Sequence, residues 1–232
     1  MKKFELTDEF ITNAFGNKLF RIKALVDFGT IKAGELGGFV EKEENLSSDD
    51  NAWVYGDARV YGNAWVYGNA RVYGNAWVSG NALVSGDALV SGDARVSGNA
   101  LVYGDALVYG NARVSGNAWV SGDARVSGNA LVSGDARVSG DARVSGNARV
   151  YGNADYAVVT GFGHCFRATT FFRGKDKILR VQCGCFYGDL AQFREIVKKT
   201  HGDSKYAKEY LAIADLMELH FSYEEEKQEA AE

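Results

Sequence analysis

Asn81-Ala82-Leu83-Val84-Ser85-Gly86, followed at once by Asp87-Ala88-Leu89-Val90-Ser91-Gly92, is one phrase written twice. The phrase, [Asn/Asp]-Ala-[Arg/Trp/Leu]-Val-[Tyr/Ser]-Gly, runs seventeen times without interruption from Asn51 to Gly152. A unit this short cannot enclose a core alone. Stacked copies can, so the spacing predicts a solenoid rather than a domain with a central core. Side chains alternate across a strand. With Val inward, the Arg/Trp/Leu before it and the Tyr/Ser after it point outward. Ala, two places before Val, also faces in and suits a tight corner. Gly and Asn/Asp tolerate the backbone that corners demand.

The pattern Val-x-Gly-Asn/Asp-Ala-x resembles the hexapeptide of left-handed parallel β-helices. The resemblance implies a triangular coil of 18 residues per three hexads. At ~4.8 Å per coil the prism would stand roughly 27 Å tall. Val40 and Leu46 predict one earlier, imperfect coil with a two-residue insertion before Val54. Open strand edges at both ends would invite polymerisation. The flanking segments therefore read partly as caps: 1–50 before the solenoid of 51–155, then 156–223, then an acidic tail over 224–232. The expected fold class is mainly β, a left-handed parallel β-helix with a small C-terminal α/β domain.

Within the flanks, 18–26 reads as a strand. Segments 166–173 and 177–183 read as a hairpin, with Cys183 and Cys185 on one strand face. Asp189-Leu190-Ala191-Gln192 has the form of a helix capping box, with Leu190, Phe193 and Ile196/Val197 on the apolar stripe. A second helix is expected from about Ser204, burying Tyr206, Tyr210, Ala214, Met217 and Phe221. The C-terminal unit is thus read as ββαα. Gly34-Glu-Leu-Gly-Gly-Phe-Val-Glu-Lys-Glu-Glu-Asn-Leu46, Gly184-Cys-Phe and Thr200-His-Gly-Asp are similar to motifs of hexapeptide-repeat proteins frequent in phages and prophages. That resemblance implies a task in phage–host conflict, such as binding a host defence protein or sequestering a signalling nucleotide.

The net charge of −4 gives no global reason to bind nucleic acid or an anionic membrane. Proline is absent, which suits stacked strands. Three cysteines, all beyond residue 160, do not form a disulfide framework. The start of the chain lacks the apolar core of a signal peptide, and no run approaches the ~18 apolar residues of a membrane span. These features predict a soluble protein of a reducing compartment, the bacterial cytoplasm by resemblance.

Many left-handed β-helix proteins are acyltransferases that use histidine between subunits. Here His164, His201 and His220 all lie outside the repeats, and no loop interrupts the hexads. The expectation is therefore no catalytic residue and no cofactor, with a hexapeptide-type acyltransferase as the alternative. A pocket lined by His164, Cys185 or His201 would favour that alternative. His164, Cys165, Cys183, Cys185 and His201 are more economically read as buried apolar thiols with neighbouring rings than as a metal site.

Residues 18 apart should stack. One outward column then reads Trp53, Arg71, Leu89, Leu107, Arg125, Arg143. The second reads Arg59, Trp77, Arg95, Arg113, Leu131, Arg149. The third reads Trp65, Leu83, Leu101, Trp119, Arg137, with Tyr67 and Tyr103 beside it. The third column predicts an exposed apolar strip, and such strips mark contact surfaces unless end domains cover them. The expected occupant is another subunit, in a trimer by resemblance to the fold class. Arg59, Arg95, Arg113 and Arg149 are candidates for a small anionic ligand; the alternative is pairing with Asp57, Asp93 or Asp141. The functional expectation is a non-catalytic oligomeric scaffold.

Overall fold

The computed structural model describes residues 2–229, with side chains through residue 222. Seventeen two-residue strands, from Trp53–Val54 to Arg149–Val150, form three parallel sheets. Their register is the 18-residue stack: Leu89 pairs with Arg71 and Leu107, Arg95 with Trp77 and Arg113, Leu101 with Leu83 and Trp119. The imperfect first coil is also present. Val40 pairs with Val60 and Leu46 bridges Val66, both offset by two residues.

Every repeat Val is sealed from solvent, and the repeat alanines are sealed to within 1 %. The core is a column of small aliphatic side chains, so backbone ladders carry much of the cohesion. They run from each coil to the next: Arg95 N–H donates to Ala112 O at 2.9 Å, and Asn99 N–H to Gly116 O at 2.8 Å. The corners are equally close. Gly98 has φ +69°, and a Cβ there would lie 2.9 Å from the Gly116 nitrogen. Glycine is required there both for the left-handed backbone and for the approach of the next coil.

Polar ladders line the corners. Asn63 donates to Asn81, Asn81 to Asn99, Asn99 to Asn117, and Asn117 to Asp135, at 2.9–3.2 Å. A carboxylate accepts but cannot pass a bond on. A second corner therefore stops early. Asn51 donates to Asn69 and Asn69 to Asp87, after which Asp105, Asp123 and Asp141 follow in the stack.

The two ends of the ladder need opposite chemistry, because each coil donates to the one after it. The first coil has spare carbonyls. Lys3 Nζ donates to Asp50 O and Ala52 O, and the buried Asn45 amide donates to Gly62 O and Ala64 O. The last coil has spare N–H groups. Asn153 Oδ1 accepts from Arg137 N–H, and Thr170 Oγ1 from Arg143 N–H, both at 2.9 Å. Burial pushes the Lys3 ammonium below its usual pKa, and the neighbouring Asp50 opposes that shift.

The N-terminal cap contains the strand expected over 18–26, observed as Lys18–Ala24, and a further strand, Leu36–Val40, that ends at the Val40 of the expected first coil. It also contains an unexpected one, Phe4–Thr12, which pairs antiparallel with Lys18–Ala24. Phe4 and Phe28 pack edge-on against Trp53. Trp53 was expected to face outward in its column. It does, but the cap covers it and it is wholly buried.

The C-terminal unit has four antiparallel strands rather than two: Tyr156–Val159, Thr169–Arg173, Leu179–Cys183 and Phe186–Asp189, paired in that order. The hairpin around Gly174 is as expected. Cys185 differs: it sits with Gly184 in the tight turn before Phe186, not on a strand face with Cys183. Helix α1, Leu190–His201, starts at the Asp189–Gln192 capping box. Helix α2, Lys205–Glu229, buries Tyr210, Ala214, Met217 and Phe221, and leaves Tyr206 half-buried. Residues 224–229 of the expected acidic tail continue α2; residues 230–232 lie outside the described residues.

One strand joins the two units. Phe172 plugs the open end of the Val/Ala column, while its neighbour Phe171 points the other way, into the helices. Alternation across a strand puts consecutive aromatics into two different cores.

Candidate interaction face and junction cleft

The third face keeps its apolar strip open. Trp65, Leu83, Leu101, Trp119 and Arg137 pair in register. Trp65 is 42 % exposed and Tyr103 38 %, while Leu83, Leu101, Trp119 and Tyr67 are half-buried. Trp65 and Tyr67 stack at 4.1 Å between ring centroids, and Arg137 lies over Trp119 at 4.5 Å.

The second face holds its arginines differently from the carboxylate pairing weighed above. Arg59 and Arg95 lie over Trp77, at 5.4 Å and 4.6 Å from its ring. Arg149 donates to Asn129 O and Ala148 O. Arg113 is exposed. Among the described residues no ion pair joins these arginines to Asp57, Asp93 or Asp141. Cation–π stacking on Trp77 takes the place of ion pairing for Arg59 and Arg95.

The three cysteines and two of the three histidines gather around one cavity of the C-terminal unit, and the thiols are not buried as expected: Cys165 and Cys185 are exposed and Cys183 is half-buried. A cavity of about 280 Å³ is lined by His164, Cys165, Cys183, Cys185, His201 and Tyr210, with Arg167 at its edge and apolar side chains of α1. His164 Nδ1 stands 3.5 Å from Cys165 Sγ, and Thr169 Oγ1 donates to Cys183 Sγ at 3.2 Å. The imidazoles pack on aromatic rings: His164 on Tyr206, His201 on Tyr206 and Tyr210. Burial, reinforced by Cys183, pushes the Tyr210 phenol up to about 12. Among the described residues no three His, Cys, Asp or Glu are placed to hold a metal ion.

Beside this cavity lies a larger cleft of about 640 Å³, between the first solenoid face and the C-terminal unit. Its walls carry Arg125, Arg143, Asp123 and Asp141 from the solenoid, and Arg167 and Cys185 from the C-terminal unit. Sequence reasoning placed Arg125 and Arg143 in one column. It had no means of bringing Arg167 to them, because Arg167 lies outside the repeat.

The repeats match the model of the YdcK beta solenoid repeat at residues 52–68, 64–80, 78–92, 94–109, 106–122, 124–140 and 142–154. The chain is a repeat β-helix protein. Among the solved structures similar to it is a Bacillus cereus protein described as a candidate acetyltransferase. It is 12 % identical, with a TM-score of 0.31, over 76 % of this chain and 96 % of that one. A likeness that slight says nothing about activity. No curated protein matches the sequence. No described helix is long and apolar enough to cross a membrane.

Proposed function

We propose that this β-helix protein is a non-catalytic oligomeric scaffold, with the third face turned toward further copies of the chain. The supporting observation is the strip from Trp65 to Trp119, which neither terminal unit covers although the N-terminal cap does cover Trp53. A β face repeating every ~4.8 Å is matched in spacing by another copy of itself. Aromatic anchors flanked by leucines have the composition of an interface centre. By resemblance to the fold class the assembly is a trimer. The flanking motifs extend the reading to a phage-encoded inhibitor that holds a host protein or a small anion. The test is the native mass of Trp65→Arg combined with Trp119→Arg. Two charges at the strip should reduce the assembly to monomer with the fold intact by circular dichroism; an unchanged native mass would sink the proposal.

A second reading, transfer chemistry, has one observation in its favour: the cavity lined by His164, Cys165, Cys185 and His201. It requires acetyl-CoA to bind there. Calorimetry with acetyl-CoA on wild type and on His164→Ala tests it, and no heat of binding would end it.

A further inference from the structure

The geometry points to the junction cleft as a binding site for a small organic phosphate. This inference is independent of how the third face is used.

Three guanidinium groups line the cleft, from two separately built units. Arg125 and Arg143 stand one coil apart on the solenoid, and Arg167 comes from the loop before the Thr169–Arg173 strand. Among the described residues, none of the three side chains makes a hydrogen bond or an ion pair. This contrasts with Arg149, which is held by carbonyls, and with Arg95, which lies on Trp77. Three arginines against two carboxylates leave the cleft with a net positive charge, which attracts an anion. Guanidinium forks match phosphoryl oxygens two at a time.

The walls are fixed before any ligand arrives. Arg143 N–H donates to Thr170 Oγ1 at 2.9 Å, and Ser145 Oγ to Gln182 Oε1 at 3.1 Å, tying the solenoid to the C-terminal sheet beside the cleft. Gly184 makes room for the third cation: a Cβ there would lie 2.7 Å from Arg167 Nη1.

Asp123 and Asp141 set the second half of the ligand. They lie on the same wall, two residues before Arg125 and Arg143, and neither is hydrogen-bonded through its side chain among the described residues. Two carboxylates disfavour a bare anion and accept hydrogen bonds from hydroxyl or amino groups. A cleft of about 640 Å³ has the size of a small-molecule site, within the usual range of about 300–1,000 Å³. The ligand that satisfies both sets carries a phosphoryl group and several hydroxyl or amino donors.

The experiment is titration calorimetry on the full chain with ribose 5-phosphate, inorganic phosphate and ribose as probes. Ribose 5-phosphate should bind more tightly than inorganic phosphate, and ribose not at all. Arg143→Gln and Arg167→Gln should each weaken ribose 5-phosphate about tenfold or more, with unchanged melting temperature. Asp123→Asn with Asp141→Asn should weaken ribose 5-phosphate but not inorganic phosphate. Occupancy should also slow alkylation of Cys165 and Cys185, which line the same cleft. Absence of saturable binding by wild type, or equal affinity in the arginine variants, overturns the site. Equal affinity for the two phosphate probes overturns the assignment of an organic ligand.

Discussion

Trp65 and Tyr67 stack ring on ring, 4.1 Å between centroids and 22° between planes, on a face open to solvent. They flank the inward Val66 of the Trp65–Val66 strand, Tyr67 directly following it, and the stack presets a flat aromatic plate. If that plate anchors a second copy, Tyr67→Ser should weaken self-association by about 1 kcal/mol, the worth of an aromatic pair. Sedimentation across a dilution series would read this as roughly a five-fold shift in dissociation constant. Trp65 fluorescence should change in the same variant even in the monomer.

Asn45 caps the first coil from inside. It is sealed from solvent, donates to Gly62 O and Ala64 O, and accepts from Lys42 N–H. Asn45→Ala leaves three backbone groups without their side-chain partner, one of the bonds buried and two half-buried. We expect a loss of about 2–4 kcal/mol in denaturant unfolding. Because the cap also covers a strand edge, the variant should aggregate end to end faster than wild type. Equal stability would mean that water replaces the amide without cost.

The corner column Asp87, Asp105, Asp123, Asp141 places carboxylates one above another, where the neighbouring corner has an amide ladder from Asn63 to Asp135. Asp105→Asn relieves repulsion and supplies a donor to Asp123. It should stabilise the chain by about 0.5–1 kcal/mol at low ionic strength. The gain should shrink in 1 M salt, where screening acts within about 3 Å. A loss of stability on substitution would indicate that the carboxylate column holds a cation in solution.

Tyr210 supplies a pH dependence with a definite sign. Burial, with Cys183 adding to it, raises its phenol from 10.0 to about 12 in the folded chain. The folded state therefore holds this proton where the unfolded chain has lost it. Its contribution to stability is complete below pH 10 and is lost as pH rises toward 12. Tyr210→Phe should flatten the alkaline limb of a stability–pH curve between those values while leaving the neutral region nearly unchanged. A limb of the same slope in both proteins would place the titrating group elsewhere.

The solenoid was legible because one hexad carries its whole local logic. Val and Ala inward, Gly at a left-handed corner, and a spacing of 18 determine each partner in the stack without knowledge of the rest of the chain. The offset of Val40 and Leu46 was readable for the same reason. The caps were not, because their strands obey no repeat. Phe4–Thr12 alternates weakly and is held by pairing with Lys18–Ala24 and by Lys3 reaching the first coil's carbonyls. Tyr156–Val159 and Phe186–Asp189 are short, and become strands through a sheet whose middle pair supplies the template. The outward strip on the third face could be read from columns alone. The burial of Trp53 could not, since it depends on Phe4 and Phe28 folding back. The junction cleft needed Arg167 to meet Arg125 and Arg143, which requires the C-terminal sheet to dock on the solenoid end through Phe172 and through bonds such as Arg143 N–H to Thr170.

The most direct test of the account is the native mass of the wild-type full chain at micromolar concentration. One chain has a mass of 25.2 kDa. Self-association through the third face predicts a closed oligomer at a small multiple of that mass, a trimer by resemblance to the fold class. A monomer at every concentration tested would contradict the account, and would leave the Trp65–Trp119 strip as a surface for a different protein.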